Sequence, residues 1–117
     1  MASRSFEEVE VWKKAHAWVL ATYRYSQGFP KCELFGLTSQ LRRAAVSVPG
    51  NFVEGFKRRG SGEKLRFYNI AQASLEEARY YLILSRDLGY GVSDQVMQMA
   101  NEVCRMLEAY MQGLKDS

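Results

Sequence analysis

Six hydrogen-bonding side chains, Gln40, Arg43, Ser47, Asn51, Glu54 and Arg58, follow one another at spacings of 3, 4, 4, 3 and 4. In a helix that spacing puts them on a single stripe. A face that only meets solvent more commonly carries Lys and Glu. Small, neutral Ser and Asn suit a closely approached, partly buried contact in which each hydroxyl or amide finds a partner. Arg43 and Glu54 stand about 16 Å apart along such a helix, too far to pair within one chain but available to each other across a subunit boundary. The stripe is therefore expected to form an oligomer interface or polar network, with a solvated face or a ligand site as alternatives.

A second group of chemically active residues is a run of cations. The formal net charge is only +3, yet Arg42, Arg43, Lys57, Arg58, Arg59, Lys64 and Arg66 fall between residues 42 and 66 with only Glu54 and Glu63 against them. The remainder of the chain is slightly acidic. Clustered positive charge is the electrostatic footprint of a polyanion-binding surface, and these seven residues are the candidate phosphate contacts. The alternative is a solvated helix end and loop. Phe56 and Phe67 flank the cluster, where core packing is the expected role and base stacking the other reading.

Catalytic chemistry finds few groups. His16 is the one histidine and is expected on the inner face of its helix; Cys32 follows Phe29-Pro30-Lys31 in a loop, and Cys104 sits mid-helix. A Cys–His nucleophile needs hydrogen-bond reach and a third, orienting group, and no motif announces one. Glu76-Glu77 lacks the Glu-x-x-His spacing of di-iron bundles, and is expected to pair with Arg79 or Tyr80. Gly60-Ser61-Gly62 lacks the lysine spacing of a phosphate loop. No enzyme activity, metal site or cofactor is expected.

The elements that must carry these residues read as four helices, over about 7–27, 33–57, 62–88 and 93–113. The 117 residues, 47% hydrophobic and 25% charged, suit one domain with one core. The first helix has two apolar stripes. Val9, Trp12, His16, Val19 and Tyr23 form one; Val11, Ala15, Trp18, Thr22 and Tyr25 form the other, and one bundle core cannot easily cover both. Gly28 is expected as a left-handed cap ahead of Pro30. The second helix shows Leu34, Leu37, Leu41, Ala45, Val48, Phe52 and Phe56, with Pro49 predicting a kink rather than a break. The third repeats Leu65, Tyr68, Ala71, Leu75, Ala78, Leu82, Ser85 and Leu88, capped by Ser61 and closed by Gly89. The fourth, capped by Ser93, shows Val96, Met99, Val103, Met106 and Tyr110. No segment alternates with period two. Short connections between four amphipathic helices predict an all-α, antiparallel up-down four-helix bundle.

Fifteen aromatic residues are many for so thin a core. Phe67-Tyr68 and Tyr80-Tyr81 cannot both face one interior, since adjacent helical residues point about 100° apart. With the second stripe of helix one, in which Trp18 and Tyr25 are the expected interface residues, they predict a homo-oligomer, most simply a closed ring. No stretch is apolar enough for a membrane span and the acidic start, MASRSFEEVEVWKK, has no signal core, so a cytoplasmic location is expected.

Several segments resemble the four-helix bundle proteins of the rRNA intervening-sequence family: Phe6 through Lys13, Phe29-Pro30, the run from Phe35 through Pro49 (FGLTSQLRRAAVSVP), Asn51-Phe52-Val53-Glu54-Gly55-Phe56, Ala73 through Glu77, and Asp87-Leu88-Gly89-Tyr90. Phe52-Val53 replaces the Ile-Ala common in that family and leaves Asn51 and Glu54 in place. The resemblance implies a pentameric ring. A more distant similarity, to the accessory protein of diversity-generating retroelements, implies nucleic acid and a reverse transcriptase as partners. The functional expectation is a non-catalytic, oligomeric accessory or scaffold protein that binds RNA or DNA through its basic patch. The alternative is a protein-interaction module, such as a reverse-transcriptase partner, with no direct nucleic-acid role.

Overall fold

The computed structural model describes residues 4–117; residues 1–3, the head of the segment expected to lack a signal core, lie outside the described residues. Four helices account for most of the chain: α1 (Glu10–Ser26), α2 (Leu37–Lys57), α3 (Ser61–Asp87) and α4 (Asp94–Lys115). Short 3₁₀ turns at Phe6–Glu8 and Lys31–Glu33 precede α1 and α2, and no strand occurs among the described residues. The four helices therefore match expectation, with shorter starts for α1 and α2. Helix α1 packs beside α2 and α4, and α3 beside α2 and α4. Diagonal backbones stay apart while their side chains meet in the middle: the Phe52 and Tyr110 rings lie 5.2 Å apart, and the Tyr25 and Ser85 hydroxyls share a 2.7 Å hydrogen bond. The molecule is 46 Å long and about 20 Å across.

The fully buried layer comprises Trp18, Leu41, Ala45, Tyr68, Ala71, Leu75, Ala78, Leu82 and Ala100, flanked by Val48, Phe52, Val103 and Leu107. The stripes read for α2, α3 and α4 supply most of it. Leu34 and Leu88 depart from them, lying beyond the helix ends and half exposed. On α1 the expectation is reversed in part: Val9 and Val19 of the first stripe are buried as read, but the second stripe supplies the centre of the core. Val11, Ala15, Trp18 and Thr22 face the core, whereas His16 and Tyr23 are exposed and Trp12 is half-buried. Trp18 is 0% exposed within a single chain and has no surface to give to another subunit; Tyr25 is committed to Ser85. Thr22 tolerates the interior because its hydroxyl donates to the Trp18 carbonyl of its own helix at 2.9 Å. His16 instead stacks on Trp12 outside, ring centroids 5.1 Å apart.

Helix α2 runs unbroken through Pro49. Its closest approach to α3 depends on Gly55, where an added Cβ would come within 2.6 Å of the Tyr68 ring and 3.1 Å of the Lys64 carbonyl. Gly89, at φ +79°, is the one left-handed residue among those described. It ends α3 in a Schellman turn, with Tyr90 N donating to Ser85 O and Gly89 N to Arg86 O. Gly28 has no such conformation; α1 closes through successive tight turns, Gly28 N to Tyr25 O and Phe29 N to Ser26 O. The expected hydroxyl caps also differ. Ser61 is the first residue inside α3, behind Gly60, and Ser93 holds the expected cap position of α4 without a side-chain bond.

Glu33 ties two connections together. One carboxylate oxygen accepts the Leu37 N–H at the head of α2 (3.1 Å), and the other accepts the Tyr90 hydroxyl (2.8 Å). Gly36 makes room, since a Cβ there would lie 2.8 Å from the Glu33 carboxylate. Around this junction the end of the bundle is apolar and open: Phe35 is 92% exposed and Val92 83%, with Leu34 and Leu88 beside them in sequence.

The Leu37 N–H first, and the Tyr90 hydroxyl second, hold the Glu33 carboxyl below its ordinary value, while the same bond holds the Tyr90 phenol above its own. A depressed folded value means that the Glu33 contribution is complete above its unfolded value, near 4.5, and is lost as pH falls through the folded value. Glu33→Gln should lower the thermal midpoint at pH 7, and the gap to the parent chain should close as melts are repeated toward pH 3.

Candidate nucleic-acid interface

The turn between α2 and α3, residues 58–60, brings Lys57, Arg58, Arg59, Lys64 and Arg66 to one end of the bundle. Arg43 and Arg42 lie about 21 Å or more back along α2, fourteen and fifteen residues from Lys57. The seven cations read as one patch are therefore two groups.

Two of the seven are occupied by the fold. Arg42 reaches to the C-terminus of α1, where Nε donates to Ser26 Oγ at 2.8 Å and a terminal nitrogen to the Tyr23 carbonyl at 3.2 Å. Its guanidinium lies 4.7 Å from the Tyr23 ring centroid. A cation placed there satisfies carbonyls that the last turn leaves unpaired and meets the negative end of the helix dipole. Lys64 does the same for α2: Nζ donates to the carbonyls of Phe56 (2.7 Å) and Gly55 (3.2 Å) and stands 5.5 Å from the Phe56 ring. Burial lowers the Lys64 pKa. Both side chains serve as helix caps, a role the sequence reading did not assign them.

Four cations remain at the turn. Lys57 and Arg59 are exposed and make no ion pair among the described residues. Arg58 pairs with Glu54 at 3.4 Å and Arg66 with Glu63 at 3.1 Å, one turn away in each case. Both guanidiniums also lie on Phe67, 4.6 Å and 4.4 Å from its centroid. Phe67 is half-buried beneath them, while Tyr68, the next residue, is wholly enclosed. Neither flanking phenylalanine is a bare stacking platform: Phe67 carries two arginines, and Phe56 packs toward Phe52 with Lys64 over it.

The polar stripe of α2 is largely answered within the chain. Gln40 accepts the Tyr81 hydroxyl (2.9 Å), and Ser47 shares a 2.8 Å hydrogen bond with Ser74 of α3. Asn51 donates to the Ser47 carbonyl and hydroxyl. Glu54 is on Arg58. Arg43 alone is left beside this network, in an open groove of about 350 Å³ with Glu77 and Tyr81. Residues on this spacing hydrogen-bond to one another and to α3, and the α3 partners Ser74 and Tyr81 lie 27 and 41 residues away in sequence, where the α2 pattern gives no sign of them.

Nucleophiles are not assembled. Cys104 faces Glu108 at 3.9 Å, and burial, followed by the carboxylates of Glu108 and Glu76, pushes its thiol up, away from the reactive thiolate. Glu76 is held by Arg79 at 2.7–2.8 Å, one of the two pairings expected for it. His16 and Cys32 are exposed on separate elements. Among the described residues no three metal-ligating side chains converge, and no helix is long and apolar enough to cross a membrane.

Four amphipathic helices with a cationic turn at one end define a small all-α protein built around a polar-lined helix pair. The chain matches the family model described as 23S rRNA-intervening sequence protein over residues 7–109, and it belongs to that family. A comparison with curated proteins gave no match.

Arg42→Ala should lower stability by about 1–2 kcal/mol in urea denaturation, since charge-assisted bonds to a helix end are lost. Arg59→Ala should leave the midpoint unchanged within about 0.5 kcal/mol.

Proposed function

We propose that the chain is a non-catalytic, homo-oligomeric accessory or scaffold protein that binds RNA or DNA through the α2–α3 turn. The observation that carries this reading is the set Lys57, Arg58, Arg59 and Arg66, gathered around the α2–α3 turn, where none of the four side chains donates to a helix-end carbonyl among the described residues. Phosphates supply sequence-independent affinity to such a surface. The family description, which concerns an rRNA-intervening sequence, favours RNA as the polyanion. The reading places the protein in the cytoplasm.

The same proposal covers the architecture. Contacts between helices adjacent in sequence and the lack of diagonal backbone contacts support an antiparallel up-down bundle. Exposed apolar side chains on several helices, Leu20 and Tyr23 on α1, Val46 on α2, and Ile70, Tyr80 and Ile83 on α3, support burial against further copies. A ring of five is the assembly that the family resemblance implies. In this reading Arg43, and the atoms of Gln40, Ser47, Asn51 and Glu54 that their partners within the chain leave free, remain available to an interface. The second reading, a protein-interaction module such as a reverse-transcriptase partner, draws on the apolar end formed by Phe35 and Val92.

Binding to mixed-sequence single-stranded RNA should weaken with salt, log affinity falling against log salt with a slope near −3 for about four phosphate contacts. Flat salt dependence, or no binding at low salt, would favour the protein-interaction reading. In sedimentation, the parent chain should run as a multimer and a Leu20→Glu, Tyr23→Glu variant as smaller particles; a monomeric parent would refute the oligomer.

A further inference from the structure

We propose that Arg58, Arg66 and Phe67 form a preorganised phosphodiester clamp, in which one aromatic ring holds two guanidiniums in place for a nucleic-acid backbone. The inference rests on the RNA-binding reading above and assigns it a particular site. Three observations meet here. Both guanidinium carbons lie within 4.6 Å of the Phe67 centroid, so the two charges are at most the sum of the two ring distances apart. Both side chains remain open to solvent, Arg58 at 43% and Arg66 at 58%. The backbone that carries Phe67 is fixed, because Tyr68 beside it is locked into the core against Phe52 at 5.0 Å.

A long arginine ordinarily loses rotamer freedom when it binds an anion. Stacking on an aromatic face removes part of that freedom beforehand and leaves the edge donors of the planar group pointing outward, where they match a phosphate in bidentate fashion. Each guanidinium currently lends a nitrogen to a carboxylate, Glu54 or Glu63. Exposed pairs of this kind exchange readily, being weak in water. The carboxylates thus hold the clamp until a phosphate, with the field of Lys57 and Arg59 behind it, displaces them. The ring, covered by cations, contributes through the arginines it positions and not by stacking on a base.

The test measures binding of a mixed-sequence single-stranded RNA to the full-length chain by fluorescence anisotropy across a salt series. Phe67→Leu keeps every charge; it should weaken binding about three- to ten-fold, because two arginine side chains regain freedom that binding must then remove, while the salt slope stays unchanged. Phe67→Trp should bind as the parent does. Arg58→Ala with Arg66→Ala should reduce the magnitude of the slope by about 1.4. Parent-like affinity in Phe67→Leu, or equal weakening in Phe67→Trp, overturns the clamp while leaving the RNA-binding reading standing. A parent chain that fails to bind RNA overturns both. Should Phe67→Leu melt at a lower temperature, the Arg58→Lys, Arg66→Lys variant decides: it conserves charge but not the planar stack, so weaker binding supports the clamp and parent-like binding overturns it.

Discussion

The absence of a side chain at Gly55 is the constraint on which the rest of the molecule turns. Because no Cβ stands there, the Tyr68 ring fits against α2, where it stacks on Phe52 and meets Tyr110 edge-on. Lys64 is then close enough to cap the end of α2 through the carbonyls of Gly55 and Phe56. Once Tyr68 is fixed inward, the helical advance of about 100° per residue carries Phe67 round to the surface, under Arg58 and Arg66. Core packing and the cationic end are thus set by one close approach of two backbones. The enclosure places the Tyr68 hydroxyl in the interior, beside Tyr110. Burial also drives its phenol well above the ordinary tyrosine value, and it stays protonated.

What the sequence disclosed follows from how distinct each signal is. On α3 the three-four repeat from Tyr68 through Ser85 is unbroken and was legible residue by residue, although Ile70, Tyr80 and Ile83 stand exposed outside it. Helix α1 offers two stripes of similar hydrophobicity, and periodicity alone has no means of ranking them. The choice is made by shape and local bonding: Ala15 and Thr22 let the helices approach around Trp18, whereas His16 and Trp12 satisfy each other outside.

The charged residues teach the complementary lesson. Arg42 and Arg43 are identical and adjacent, yet one grips the end of α1 and the other sits in a groove between α2 and α3. A count of cations measures a field and says nothing of which carbonyls lie within reach. Distinguishing a structural cap from a free charge needs the neighbouring helix end, which is remote in sequence: Ser26 and Arg42 are sixteen residues apart. Glu33 escaped notice for the same reason. It looks like the first residue of α2, whereas its work is done from outside the helix through Leu37 and Tyr90.

The two ends of the rod are chemically unlike. Helix α3 alone, 27 residues long, separates the arginine-bearing turn from the Gly89 turn by about 40 Å, and Phe35 and Val92 stand exposed near the latter. Such a body has a direction, as an arrow does. In the proposed oligomer, copies related by a single rotation axis along the rod would all point the same way, giving one rim that carries the arginine-bearing turns and one that carries Phe35 and Val92. A polyanion lying across the first rim leaves the second free, and back-to-back stacking of two such assemblies through their hydrocarbon rims would display positive charge at both extremities. In such a particle the asymmetry of one helix pair would decide which side faces a polyanion.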